Sequence, residues 1–242
     1  MSLSDPGIVC FQHCGPKVFC VRLPEKCPSC TRDLLEASFK LMPFRLPFPF
    51  VRASQYPGAV VLRPTTGDFL NEYFNSKDLH IGVTTSTGAI VEFDRDGLRR
   101  HTEKGSKISW SQSLLVEQIP EAWIDHWDTV LLQTCKKPMW SSEEYREDTN
   151  NCYTFVLTFL EALAYGDLSK AAQNRTLFCE KYIVPRTTAA GKYISLYRKI
   201  RDHGLYIHST PTNGISTNGS HGMEKPPTNT FGIGGKLCSI RE

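Results

Sequence analysis

A chain of 242 residues, 40% hydrophobic and 22% charged, carries enough apolar material for one substantial core plus a small appendage. Its formal charge of +3 is small for this size and its basic residues are scattered, apart from Arg95, Arg99, Arg100 and His101, which read as a solvated turn; no nucleic acid partner is expected. No run reaches the roughly 18 apolar residues of a transmembrane segment, and the N-terminus lacks a basic stretch followed by an apolar one, so a cytoplasmic or nuclear protein is expected.

Nine cysteines in a reducing compartment read as thiols or metal ligands rather than as a disulfide framework. Five of them, Cys10, Cys14, Cys20, Cys27 and Cys30, fall in the first 30 residues. The two-residue gap of Cys27-Pro28-Ser29-Cys30 lets both sulfurs reach one tetrahedral ion, and Cys10 with His13, or with Cys14, would supply the other pair. Residues 1–40 are therefore read as a zinc-ribbon-like module with a structural zinc, holding a strand over Val18 to Leu23 and a short helix over Leu34 to Met42. Without metal the same residues are buried thiols. Over residues 41–58, Pro43, Pro47 and Pro49 remove donors and force extended backbone, so this stretch is a linker anchored by its phenylalanines.

The main domain is placed at 59–208. A strand at Ala59 to Arg63 and a short helix at Phe69 to Phe74 precede the clearest hairpin, Asp78 to Asp94, whose alternating runs flank Ser86-Thr87-Gly88. In that register Ile81 faces Phe93 and Val83 faces Val91, while His80, Gly82, Thr84, Glu92 and Asp94 gather on the other side. A histidine thus stands beside two carboxylates, and Glu92, with Asp94 as the alternative, would orient the imidazole. Gly82 leaves room for a helix to approach. A strand at Leu114 to Ile119 and a helix at Glu121 to Cys135 follow, the helix presenting Trp123, Trp127, Val130, Leu131 and Thr134 on one face.

The central helix is read between Thr149-Asn150-Asn151, whose side chains accept orphan N–H bonds, and Gly166, which can end a helix in the left-handed conformation. Cys152, in its first turn, shares an inward side with Val156, Phe159 and Leu163. The positive end of a helix dipole favours a thiolate there, which suits a nucleophile, whereas a free cysteine is also a common small core residue. If His80 is its base, the sulfur should lie within about 4 Å of an imidazole nitrogen. Helices at Leu168 to Lys181 and Lys192 to His203, separated by Pro185, lead to a last strand at 204–208. Residues 209–242 are rich in Ser, Thr, Asn, Gly and Pro and are expected to be disordered.

His80-Ile81-Gly82-Val83 on one strand, Glu92 on the next and Asn150-Asn151-Cys152-Tyr153-Thr154 opening an apolar helix resemble the circularly permuted papain-like group, which includes the lecithin retinol acyltransferase relatives and some deubiquitinating or desumoylating peptidases. The resemblance covers roughly Ala59 to Gly166. It implies an α+β fold, an antiparallel sheet packed on the cysteine helix, with Cys152 as nucleophile, His80 as base and Glu92 as third polar group, where the acyltransferase relatives commonly carry histidine. The implied partner is an unknown protein or acyl substrate, and the rival implication is an inactive papain-like binding or scaffold protein. Across most of its length, with its Cys-rich start and its Asn-Asn-Cys segment, the chain also resembles the makorin-2 opposite-strand family.

Overall fold

Alternating apolar residues put Val9–Gln12 (β1) and Lys17–Cys20 (β2) into a tight antiparallel pair, with Cys10 opposite Phe19 and Phe11 opposite Val18. The structure is a computed structural model that describes residues 5–74, 76–102 and 110–208. The described chain divides into two compact units, one of residues 6–47 with 199–208, the other of Asp5 with 48–198. The disorder expected over 209–242 lies outside the described residues.

In the first unit Leu41–Arg45 (β3) and the last strand, Leu205–His208 (β9), complete a four-stranded antiparallel sheet in the order β3-β1-β2-β9. Phe11, Val18, Cys20, Cys27 and Leu34 form its core. The short helix expected over Leu34 to Met42 is absent: the Leu34 N–H bonds the Glu25 carbonyl at 2.8 Å and its side chain is buried with Cys27. A non-local contact at the cysteine knuckle overrides the local helical pattern, and residues 41–45, read as linker, become an edge strand that tolerates Pro43.

The second unit is built on five antiparallel strands, Ala59–Pro64 (β4), Leu79–Thr84 (β5), Ile90–Asp94 (β6), Gly97–His101 (β7) and Leu114–Gln118 (β8), in the order β7-β6-β5-β4-β8. Val83 pairs with Val91, as the Gly88 turn dictates, and Arg63 pairs with His80. Every residue of β4 and β5 is buried, so the sheet is covered on both faces. The Gly82 face is covered by Trp110, packed with Ala53, Ala59, Val61 and Ile90. A side chain at Gly82 would meet the indole at 3.1 Å. The helix expected over Gly82 is therefore replaced by a tryptophan.

Among the described residues the α-helices are Ile124–Cys135 (α1), Cys152–Leu163 (α2), Gly166–Ala172 (α3), Arg175–Phe178 (α4) and Val184–His203 (α5). Helix α2 packs on the sheet face opposite to Gly82. Its Phe155 ring stands edge-on to Trp140 at 5.2 Å, and Trp140 to Phe93 at 5.3 Å. Trp127 of α1 meets Phe159 in the same way at 4.7 Å; cutting such a fully buried ring back to alanine costs about 3–5 kcal/mol. Three boundaries depart from the sequence reading. Ala164, at φ 54°, ends α2 in the left-handed conformation, and Gly166 opens α3 instead. Pro185 does not divide two helices: a π-helical turn, Cys179–Ile183, runs directly into α5, and Pro185, which has no N–H, falls just after that change of hydrogen-bond register. Residues 69–74 form turns without a helix.

Candidate functional site

Asn151 fixes the start of α2. Its Oδ1 accepts the Tyr153 and Thr154 N–H groups at 3.0 and 3.3 Å, and Thr154 Oγ1 reciprocates toward the Asn151 N–H at 3.4 Å, a capping box. Asn150 instead donates to the Met139 and Glu144 carbonyls at 2.8 and 3.0 Å, tying the acidic stretch before the helix in place. Cys152 is consequently the first helical residue, 7% exposed, and near enough to His80 and the Ile81 backbone N–H for both to act on the ionisation of its thiol.

His80 Nε2–H donates to Glu92 Oε2 at 2.8 Å, which leaves Nδ1 as the nitrogen not engaged by the carboxylate. Glu92 is fully buried and also accepts from His101 Nε2 through Oε1 at 2.7 Å, with Arg63 Nη2 at 3.6 Å. Asp94, the alternative acid, is taken by Arg99 and by the Asp96 N–H, so Glu92 alone of the two meets the imidazole. Trp110 closes the far side, its ring 5.9 Å from that of His80 and 5.0 Å from the Arg63 guanidinium.

The electrostatics follow from this packing. Burial pushes the Glu92 carboxyl up, but the His80 and His101 bonds and the Arg63 charge outweigh it and hold the group down at about 2. Burial opposes the imidazolium of His80, and the Cys152 and Glu92 contacts reverse this, leaving it raised. Burial likewise opposes the Cys152 thiolate, and His80, the Ile81 N–H and the charge of Arg175 bring the thiol below its ordinary value. All three shifts run toward the charged form: thiolate for Cys152, imidazolium for His80 and carboxylate for Glu92. They open on a cleft of about 700 Å³ whose walls include Arg63, Tyr145, Tyr153 and Arg175.

His101 was part of the basic run read as a solvated turn. The signal that would have found it is Asp96-Gly97, a hairpin turn that folds β7 onto β6 and sets Arg99 opposite Glu92, with His101 on the same face two residues on. Arg63 depends on the pairing of β4 with β5 and Trp110 on a long connection, for which the local sequence carries no signal.

In the N-terminal unit His13, Cys14, Cys27 and Cys30 place their ligand atoms within 4.8 Å of one another. Cys14 and Cys27 sulfurs are 3.7 Å apart, and Cys30 Sγ is 3.3 Å from His13 Nδ1. Against burial, the Ser29 and Cys30 N–H groups bring Cys27 down to about 6, the behaviour of a knuckle sulfur that is readily a thiolate. Three thiols and an imidazole converging on one point are a donor set that fits zinc. Cys10, a candidate ligand from its spacing, stands outside the cluster: it is buried on β1, and burial pushes its thiol up.

Two family models match the chain, DUF4796 N-terminal over residues 6–34 and DUF4796 C-terminal over residues 43–200. The chain belongs to the DUF4796 family. It is similar to the MKRN2 opposite strand protein of Homo sapiens, with 31% identity over 208 residues that cover 85% of this chain and 91% of that protein. No solved structure matches. Among the described residues no helix is long and apolar enough to cross a membrane.

Proposed function

We propose that this protein is a cysteine-dependent hydrolase or acyltransferase that acts on an acyl or (iso)peptide bond, with a permuted papain-like arrangement of Cys152, His80 and Glu92 and a structural zinc held by His13, Cys14, Cys27 and Cys30. The observation that carries the reading is a first-turn thiol beside an imidazole whose other nitrogen donates to a buried carboxylate. In the reaction the Cys152 thiolate attacks the carbonyl carbon and forms a C–S bond, the electron pair moving to the carbonyl oxygen. The Cys152 N–H, which the Asn151 cap does not take, is the backbone donor for that oxyanion. As the oxyanion collapses, the C–O or C–N bond breaks and His80 passes its proton to the leaving group. Neutral His80 then draws a proton from water or another acceptor, which displaces the sulfur, and Glu92 keeps the ring oriented throughout.

A second reading, a papain-like binding or scaffold protein without turnover, is favoured by the low exposure of Cys152. Labelling with a cysteine-directed activity probe separates the two. The enzyme reading expects selective labelling of Cys152 in the folded wild type, none in Cys152→Ala, and a rate lower by about 100-fold in His80→Ala. Labelling that appears only on unfolding would leave the binding protein.

A further inference from the structure

Four arginines line the cleft that holds Cys152: Arg63, Arg95, Arg99 and Arg175. Arg63 faces Glu92, Arg95 pairs with Glu147, and Arg99 pairs with Asp94 and Asp96. Arg175 differs. Among the described residues no carboxylate pairs with it and its buried Nε has no hydrogen-bond partner. Its guanidinium lies 4.8 Å from the centroid of the Tyr153 ring. Tyr153 is itself 4% exposed, with a hydroxyl that has no partner and a phenol that burial keeps neutral, so the ring is a fixed apolar platform and not a counter-ion.

A guanidinium stacked on a buried ring has a set plane and little freedom to lose on binding. With no partner among the described residues for its outer N–H donors, that plane matches a carboxylate, which accepts two parallel bonds from it. Asp78 and Asp148 line the same cleft with no ion pair to an arginine among the described residues, which disfavours a ligand with several negative charges. We propose that Arg175 anchors a single carboxylate of the substrate, so that the site selects acyl or peptide substrates carrying a free carboxylate near the scissile carbonyl. This rests on the thiol reading above.

Alkylation of the full chain tests it, read at Cys152 by mass spectrometry, because each reagent loses iodide to the sulfur whatever the natural substrate. Iodoacetate is compared with iodoacetamide, and iodoacetylglycine with iodoacetylglycinamide, pairs that differ in charge at one and at several bonds from the reacting carbon. A charge-assisted pair supports a preference of about tenfold for the anionic member of one pair. Arg175→Gln should remove that preference and Arg175→Lys should keep part of it, and the pair that shows it locates the carboxylate. The imidazolium of His80 also draws anions, so only the part of the ratio lost in Arg175→Gln counts. Ratios equal in wild type and Arg175→Gln for both pairs overturn the proposal. If no reagent reaches Cys152 in the folded protein, the thiol reading fails separately. The anchor is then judged by N-acetylglycine, which should raise the melting temperature of wild type and not of Arg175→Gln; equal responses overturn it.

Discussion

In the N-terminal unit three sulfurs converge with one imidazole, whereas in the main unit a single sulfur meets a single imidazole that is backed by a carboxylate. In each one thiol, Cys27 or Cys152, is brought below its ordinary value, and a buried thiolate needs positive charge close by. Cys14 and Cys27, 3.7 Å apart, cannot both ionise without a cation between them, and Cys14 without one is held up at about 11. That donor set could hold a metal ion. Cys152 has His80 beside it, which draws its thiol toward the thiolate without a metal. The roles proposed for the two sites, ligation and nucleophilic attack, differ in how many donors share the site.

The largest effect expected from breaking this contrast is metal loss. Purified chain should carry one zinc in the cluster, and structural zinc in small finger peptides contributes about 10–16 kcal/mol, so Cys27→Ser or chelation should abolish amide protection in β1 and β2. Unchanged exchange after metal removal would show that the apolar core around Phe11 suffices. Next comes Glu92→Ala, which leaves Arg63, His80 and His101 around a vacancy; loss of one partner of a buried charge cluster costs about 3–5 kcal/mol, read as a shift in denaturant midpoint. A shift near zero would mean that Glu92 does not organise the site.

The pH dependence sharpens the electrostatic half. Glu92 is held at about 2 against an ordinary 4.5, so its stabilisation is complete above 4.5 and disappears as pH falls toward 2. The linked free energy is about 3 kcal/mol, measurable from denaturant midpoints across that range. His80 is raised, so its contribution is complete below 6.5 and is lost as pH rises through its folded value. Cys152 is lowered, so the thiolate is lost as pH falls through its own folded value. Alkylation of Cys152 should therefore show two macroscopic steps belonging to the pair, and a single step near the free-thiol value would uncouple it from His80. The smallest effect is expected at the cap: Asn151→Ala removes an acceptor of two N–H groups and should lower stability by about 1–2 kcal/mol in thermal or denaturant unfolding.

Much of the site was legible because its parts are local. The period-2 alternation and the Gly88 turn placed His80 and Glu92 on one face, and the Asn-Asn-Cys start placed Cys152 in a first turn. The choice between Glu92 and Asp94 was not legible, since it turns on Arg99 from the next strand drawing Asp94 away. Leu34 to Met42 shows the opposite failure: a local pattern was present, and a contact made elsewhere in the chain overruled it. Leu205–His208 was readable as a strand, but pairing with β2 across almost the whole sequence length left no local mark.

Gly82 has a consequence for any genetic screen of this protein. A methyl group there would press on the Trp110 indole at 3.1 Å and on the Val91 carbonyl at 3.2 Å, and the indole in turn backs both His80 and the Arg63 guanidinium. A residue with no side chain and no chemistry should then score as sensitive in saturation mutagenesis, the more so the larger the replacement. Loss-of-function alleles at this codon would report on the seating of a tryptophan, not on a catalytic group.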